Sequence, residues 1–297
     1  METSSFNHLR SPEPPREITA DALLESYQAG ERDFRGVQLI GADLAHQDLS
    51  GANFRQSYFQ HTDFTGATLV GVNFREAQMA SVCLHRAKLL LVNLIGADLT
   101  EADLRDADLT EAGLRSALLI RANLSQVNLD NANLNEATLD QASLYQATLT
   151  EASLSRAKLL GTDLQRANLD HANLTSALMN GASLQGASLV GAFLSGASLE
   201  GANLQDTDLS RAKMTSTNLV NVDLSRSNLR GTNLSWSSLR GANLQGATLY
   251  RTRLSWSNLS GANLTNAVMI NAKLDYTNLR HANLQGTTLP DGYVSNP

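Results

Sequence analysis

The chain has 297 residues, a formal net charge of −6 at pH 7 and a sequence pI of about 5.5. This mild negative charge disfavours general nucleic-acid binding, and the single cysteine, Cys83, excludes an internal disulfide. The sequence has neither a long apolar run nor a segment typical of a signal peptide, so it predicts a cytoplasmic protein with no membrane partner.

The first 31 residues lie outside the pattern that fills the rest of the chain. Residues 1–18 are polar and contain several prolines, and they are predicted to form a disordered tail. Residues 19–31 are predicted to hold a short capping helix, because Thr19 suits an N-cap and Gly30 suits a left-handed residue after the last turn. The apolar side chains of this helix share one face, which should cover the start of the repeat.

A five-residue repeat begins at Phe34 and ends at Leu289, and each of its 52 central positions holds Leu, Phe or Met. The residue two positions before each centre is usually small, and the other three positions are mostly polar. This pattern fits a very short strand followed by a two-residue corner, and it does not have the spacing of a helix. If each unit turns the chain through a right angle, four units close a 20-residue coil, and 52 units form about 13 coils. The sequence Leu-Ser-Trp-Ser at 234–237 recurs at 254–257, which supports this coil length.

The repeat resembles the pentapeptide-repeat family over about residues 32–291. The resemblance implies an all-β solenoid, a right-handed quadrilateral β-helix of about 13 coils with a short N-terminal capping helix. Such repeats specify the scaffold, whereas the outward residues specify the function.

The repeat ends with turn residues, and residues 292–297 are predicted to form a C-terminal tail. No C-terminal helix is expected to cover the last coil. Two alternatives remain open: the tail folds back with Tyr293 as a lid, or this end of the rod pairs with a second copy to form a homodimer.

Outward residues 20 positions apart should stack into columns along the rod. One column contains Trp236, Trp256 and Tyr276, and a neighbouring column places Arg253 and Lys273 near enough for cation–π contact. These five residues are the predicted partner-binding site, because Trp, Tyr and Arg are favoured anchors in protein interfaces. The alternative is that the rings only stabilise the stacked coils, as cross-strand pairs do.

A second outward region has an apolar character. It is predicted either as another contact or self-association surface or as a set of ordinary exposed leucines. Its residues are Leu118, Ile120, Leu160 and Leu178, with Leu90, Leu91 and Ile95 across neighbouring corners.

The sequence predicts no catalytic, cofactor-binding or metal-binding residue. Cys83 and His85 point outward from one unit, with Asp63 and Asp103 in the columns beside Cys83, but they lack the spacing of a zinc site. A rod filled by its own leucines also lacks a preformed pocket, so the protein is predicted not to be an enzyme.

The segments that flank the repeat, 23–34 and 289–292, resemble those of cyanobacterial pentapeptide-repeat proteins. That group includes a regulator of heterocyst differentiation that binds the master transcription factor of the pathway. The resemblance implies a regulatory or signalling adaptor whose partner is a protein, with a transcription regulator as the example and without direct nucleic-acid binding.

Two alternative functions remain. One is a DNA mimic that occupies a topoisomerase, as in the quinolone-resistance branch of the family; a mimic needs a regular negative surface. The fourth coil is acidic, with Asp98, Glu101, Asp103, Asp106, Asp108 and Glu111. The other alternative is a passive structural spacer.

Overall fold

The computed structural model describes residues 15–295. Strand β1 (Arg16–Glu17), helix α1 (Ala20–Gln28) and strand β2 (Val37–Gln38) come first. The rest of the described chain is a ladder of isolated parallel bridges between residues 20 apart, from Asp33↔Asn53 to Val268↔Thr288. Each 20-residue coil contributes four such bridging positions, so the chain forms a four-sided β-helix. We name each side by its first centre: the Phe34, Leu39, Leu44 and Leu49 sides.

The corners of the coil have one repeated geometry. The carbonyl of a centre accepts a hydrogen bond from the amide three residues later, as in Ala52 N to Leu49 O at 3.1 Å. The residue two after the centre has a positive φ, for example 70° at Gly51 and 54° at Arg121. A positive φ at the third residue is what a type II turn requires. This turn redirects the chain at each unit and leaves both corner side chains outside.

The core is a continuous column of the repeat centres and of the small residues that precede them. Leu164 in mid-column is fully buried, and near the amino end the rings of Phe34, Phe54 and Phe74 stack at 5.6 and 5.5 Å. Where a threonine replaces the small residue, its hydroxyl is satisfied; Thr232 donates to Leu209 O at 2.7 Å. The polar atoms inside the column therefore do not carry the cost of an unpaired buried group.

The amino end of the column is covered. Thr19 caps α1 by accepting a hydrogen bond from Ala22 N at 3.2 Å, and Leu23 of the helix is fully buried. The Tyr27 hydroxyl donates to Ser50 O at 2.8 Å, which ties the helix to the first coil.

The disordered tail was predicted to span residues 1–18, yet Arg16–Glu17 pair in parallel with Val37–Gln38 as β1. This part of the prediction is corrected: backbone pairing with the first coil orders these residues. Residues 1–14 lie outside the described residues.

The carboxyl end is only partly covered. The chain folds back after Leu289, and Val294 pairs antiparallel with Thr288. Tyr293 is 75% exposed, so it does not act as a lid. The fold-back pairs with the Leu49 side, but the four centres of the last coil are all only half-buried: Leu274, Leu279, Leu284 and Leu289.

Candidate functional site

Three aromatic side chains form a ladder on the Phe34 side. Trp236, Trp256 and Tyr276 occupy the positive-φ corner of three successive coils, with φ of 64°, 64° and 56°. The two indole rings lie 4.9 Å apart and are parallel within 1°, and Tyr276 stacks on Trp256 at 4.2 Å. The side chains remain 59%, 49% and 76% exposed. Stacking covers both faces of Trp256 and one face each of Trp236 and Tyr276, so the ladder presents ring edges and its two outermost faces to solvent.

Arg253 and Lys273 lie on the same side but not against the ladder. They are bridge partners of each other in the column that precedes the centres, and both are exposed. In the described part of the chain neither makes a cation–π contact with Trp236, Trp256 or Tyr276. The expected cation–π contact is therefore wrong. The stack occupies both faces of Trp256 and one face each of Trp236 and Tyr276, and the cations come one residue before the centres, whereas the rings come two residues after them.

The cation–π contacts of this region involve residues that the sequence reasoning missed. Lys213 lies over Phe193 at 4.1 Å, and these two are bridge partners in the column of Arg253. Tyr250, on the adjacent Leu49 side, receives Arg230 and Arg251 at 4.8 and 5.0 Å. The 20-residue register could have indicated these contacts, because it places Lys213 beside Phe193 and Arg230 beside Tyr250 in neighbouring coils.

The predicted apolar region is interrupted. Leu118 and Leu178 are 40% and 43% exposed, but Thr138 and Lys158 lie between them in the ladder Leu118↔Thr138↔Lys158↔Leu178. Leu160 is 40% exposed in a separate column. The other members of the region are less uniform: Leu91 is exposed, whereas Leu90, Ile95 and Ile120 are half-buried. These leucines are separate exposed side chains.

Cys83 and His85 are each engaged by neighbours. The Cys83 sulfur lies 3.1 Å from Thr65 Oγ1, and His85 Nδ1 lies 2.9 Å from Arg105 O. Over residues 15–295, no group of three or more His, Cys, Asp or Glu side chains is placed to hold a metal ion.

A cleft of about 520 Å³ lies between α1 and the first coil. Its lining is largely apolar or neutral, and Glu17 is its one titratable side chain. A pair of groups for general acid–base chemistry is therefore not present in this cleft.

The acidic fourth coil is partly neutralised by arginines. Arg105 pairs with Asp103 at 2.6 Å, and Arg121 pairs with Glu101 at 2.6 Å from the next coil. The hydrogen bond from Arg105 holds the pKa of Asp103 below its ordinary value. The negative surface of this coil is thus interrupted by guanidinium groups.

No helix within residues 15–295 has the length and apolar character needed to cross a membrane.

Comparison with known proteins places the repeat in a family. The profile described as pentapeptide repeats matches in eight copies, at residues 33–69, 57–89, 87–126, 117–156, 147–186, 177–215, 217–255 and 252–289. A search of curated proteins gave no significant match.

Among solved structures, the chain is similar to HetL, a pentapeptide repeat protein involved in heterocyst differentiation regulation from the cyanobacterium Nostoc sp. strain PCC 7120. The identity is 31% over 94% of this chain and 100% of that chain, with a TM-score of 0.25. It is also similar to Rfr23 from the cyanobacterium Cyanothece 51142, at 34% identity over 34% of this chain and 59% of that chain, with a TM-score of 0.16. QnrB1, a plasmid-mediated fluoroquinolone resistance protein, matches at 15% identity over 85% of this chain and 93% of that chain, with a TM-score of 0.21.

The repeat profile spans nearly all of the coiled region, from residue 33 to residue 289. The chain belongs to the pentapeptide-repeat family, and its fold is the right-handed quadrilateral β-helix of that family.

Proposed function

We propose that this protein is a non-enzymatic interaction rod that binds a protein partner through the Phe34 side. The partner-binding residues are Trp236, Trp256, Tyr276, Arg253 and Lys273. The observation that carries the proposal is the aromatic ladder, in which three large rings are stacked and yet 49% to 76% exposed. Exposed aromatic side chains of this size are typical anchors of protein interfaces.

The backing of the ladder also supports a binding role. Ser237 and Ser257, which directly follow the two tryptophans, are buried, and the backbone at both corners is held by hydrogen bonds to the next coil. Trp236 N donates to Ser255 O at 3.1 Å, and Trp256 N donates to Asp275 O at 2.9 Å. A rigid site of this kind loses little conformational entropy on binding, so more of the contact energy is available for affinity.

The physiological setting of the proposal comes from the end segments. Their resemblance to cyanobacterial members of the family favours a regulatory adaptor in heterocyst differentiation, with a transcription regulator as the partner. A cytoplasmic location belongs to the same proposal.

The proposal is tested by affinity capture from a cyanobacterial lysate. The intact protein is compared with a Trp236→Ser, Trp256→Ser variant and with a matched Leu118→Ser, Leu178→Ser control, which removes exposed apolar side chains from another side. We expect the intact protein and the control to capture the same partner and the tryptophan variant to lose it. Circular dichroism checks that all three proteins are folded.

Thermal unfolding of the same variants separates docking from a purely structural ladder. Each lost stacking contact should cost about 0.5–1.5 kcal/mol. If the tryptophan variant is less stable but still captures the partner, the rings only stabilise the stacked coils, and the proposal is contradicted. Absence of any captured partner would favour a passive spacer.

The acidic fourth coil favours a second candidate function, a DNA mimic that modulates a topoisomerase. Its carboxylates surround the coil, although Arg105 and Arg121 interrupt them. The two candidates are separated by a gyrase supercoiling assay with and without the protein. Strong inhibition or protection against a quinolone would favour the mimic, whereas unchanged supercoiling would favour the adaptor.

We also propose that the open carboxyl end mediates homodimerisation. In the preceding coils, the amides of the centre and of the positive-φ corner donate to the next coil. At five such positions of the last coil the amide has no acceptor among the described residues: Leu274, Tyr276, Leu279, His281 and Leu284. Open strand edges of this kind favour pairing with another chain. Light scattering should give twice the monomer mass of 31.9 kDa, and Leu279→Glu should reduce it to the monomer. A monomeric intact protein would contradict this proposal.

A further inference from the structure

The charges of the rod are arranged differently after residue 210. Between residues 15 and 210, seven of the thirteen Lys and Arg residues have a carboxylate within 4.0 Å, such as Arg121 with Glu101 of the neighbouring coil at 2.6 Å. After residue 210 the sequence has nine Lys or Arg residues against three Asp and no Glu. Among the described residues only one of these nine cations, Arg226, has a carboxylate within 4.0 Å, that of Asp206 at 2.8 Å.

Six of the unpaired cations follow one edge of the rod, where the Leu49 side meets the Phe34 side. Three of them occupy the corner positions that follow the centres of the Leu49 side. The other three directly precede the centres of the Phe34 side. All six are exposed, and they span four consecutive coils, a length of about 14 Å at the usual spacing of neighbouring strands. We call this feature the cationic edge, and its residues are Arg211, Arg230, Arg251, Lys213, Arg253 and Lys273.

The cationic edge is not compensated within the described chain. Arg253 and Lys273 are direct bridge partners, and like charges opposite each other on neighbouring strands are destabilising. Within residues 15–295, the three carboxylates of this region, Asp223, Asp275 and Asp291, do not lie within 4.0 Å of any cationic nitrogen. An anionic ligand would relieve this repulsion, so the arrangement has a physical use only when something binds to it.

Two aromatic side chains hold part of the edge in place. Lys213 lies 4.1 Å from the centre of the Phe193 ring, and Arg230 and Arg251 flank Tyr250 at 4.8 and 5.0 Å. These contacts restrict long side chains without neutralising them. The cations are therefore positioned to form charge-assisted hydrogen bonds with carboxylates.

The neighbouring ladder decides between two classes of anionic ligand. Proteins that bind single-stranded nucleic acid stack bases on open aromatic faces. Here stacking at 4.9 and 4.2 Å covers both faces of Trp256 and one face each of Trp236 and Tyr276, so the ring edges and only the two outermost faces remain for a ligand. A chain with a net charge of −6 is also a poor general binder of nucleic acid. Ring edges instead suit the apolar side chains of a polypeptide.

We propose that the cationic edge binds an acidic segment of the partner protein, while the adjacent ladder receives apolar side chains of that segment. This inference rests on the proposed docking function of the Phe34 side and adds the chemistry of the partner. The carboxylates of the segment bind Arg and Lys at the edge, and the segment lies along the rod between the two columns.

The test uses a dye-labelled synthetic peptide of alternating Glu and Ala residues and fluorescence anisotropy. The Arg253→Glu, Lys273→Glu variant is compared with an Arg240→Glu, Arg280→Glu control, which makes the same change of net charge at exposed, unpaired cations of the Leu39 side. We expect the intact protein and the control to bind the peptide, and the Arg253 and Lys273 variant to bind at least about tenfold more weakly. Added salt should weaken the binding in all cases.

Three results would overturn the inference. They are an absence of peptide binding by the intact protein, an equal loss in both charge-reversed variants, and tighter binding of a single-stranded oligonucleotide of the same charge. The proposed function is judged separately by the Trp236→Ser, Trp256→Ser capture experiment. If capture depends on the tryptophans while the peptide does not bind, the docking function stands and the acidic partner segment is wrong.

Discussion

The two ends of the rod use aromatic residues and charges in opposite ways. At the amino end, five phenylalanines lie inside the column, α1 covers the apolar end, and most arginines pair with nearby carboxylates. At the carboxyl end, the tryptophans lie outside, the last coil is half-open, and the cations are largely unpaired. One repeat produces both arrangements, because an aromatic residue at the centre of a unit points inward and one at the corner points outward. We infer from this contrast that the amino end contributes more to stability, whereas the proposed recognition surface lies toward the carboxyl end.

The largest expected effect tests whether the covered end is the more stable one. Leu44→Ala in the first coil and Leu164→Ala in mid-column each remove a fully buried side chain, and each should cost about 2–5 kcal/mol of unfolding free energy. Leu279→Ala in the half-open last coil should cost clearly less, since its side chain is only half-buried. Equilibrium denaturant unfolding of the three variants measures the difference. Equal losses at Leu44 and Leu279 would contradict the comparison.

A smaller effect isolates the hydrogen bond that holds the cap. Tyr27→Phe removes the hydroxyl that donates to Ser50 O at 2.8 Å, but it keeps the ring under Arg32, whose guanidinium lies 3.7 Å from the ring centre. The expected loss is about 0.5–1.5 kcal/mol. Tyr293→Phe is the matched control at the carboxyl end, because that side chain is 75% exposed. If both variants lost a similar amount of unfolding free energy, the hydrogen bond from Tyr27 to Ser50 would make no specific contribution to stability.

The sequence predicted the scaffold far better than the details of its surface. The 20-residue register follows from the unbroken centres, and it was enough to place Trp236, Trp256 and Tyr276 in one column. It could not reveal β1, because two residues outside the repeat carry no periodic signal. The sequence also predicted the wrong cation–π partners. The position of a residue in a column does not specify how an aromatic ring is oriented or which rotamer a long side chain adopts.

The contrast between unpaired and paired cations of the carboxyl end predicts changes of opposite sign. Lys273→Gln removes one member of the like-charged pair with Arg253 and should raise stability by a few tenths of a kcal/mol. Arg226→Gln removes the two hydrogen bonds of 2.8 Å to Asp206 and should lower stability slightly, and by less at high salt. Thermal unfolding of both variants provides the measurement. Destabilisation by Lys273→Gln would indicate that Lys273 is compensated in solution.

The pH dependence is expected to be the smallest effect and to arise mainly from the amino half. Hydrogen-bond donors lower the pKa of six carboxylates there, against one, Asp206, in the carboxyl half; the six are Glu31, Asp33, Asp48, Asp63, Glu76 and Asp103. A carboxylate whose pKa is lowered by folding stabilises the native state fully above its ordinary pKa, near 4, and this stabilisation is lost as the pH falls through the lowered value. Stability should therefore change little between pH 7 and about 5 from these groups and should decline below about 4.

Asp103→Asn provides the matched test of this pH dependence, because Arg105 is the main cause of the lowered pKa at that position. The variant should be slightly less stable than the intact protein at neutral pH, and the two should converge in acid. Hydrogen exchange should further show that the coils near Asp63 and Asp103 lose protection before those near residue 250 as the pH is lowered. If the carboxyl half opened first in acid, the paired carboxylates could not be what distinguishes the two ends, and the openness of the last coil would be the dominant cause.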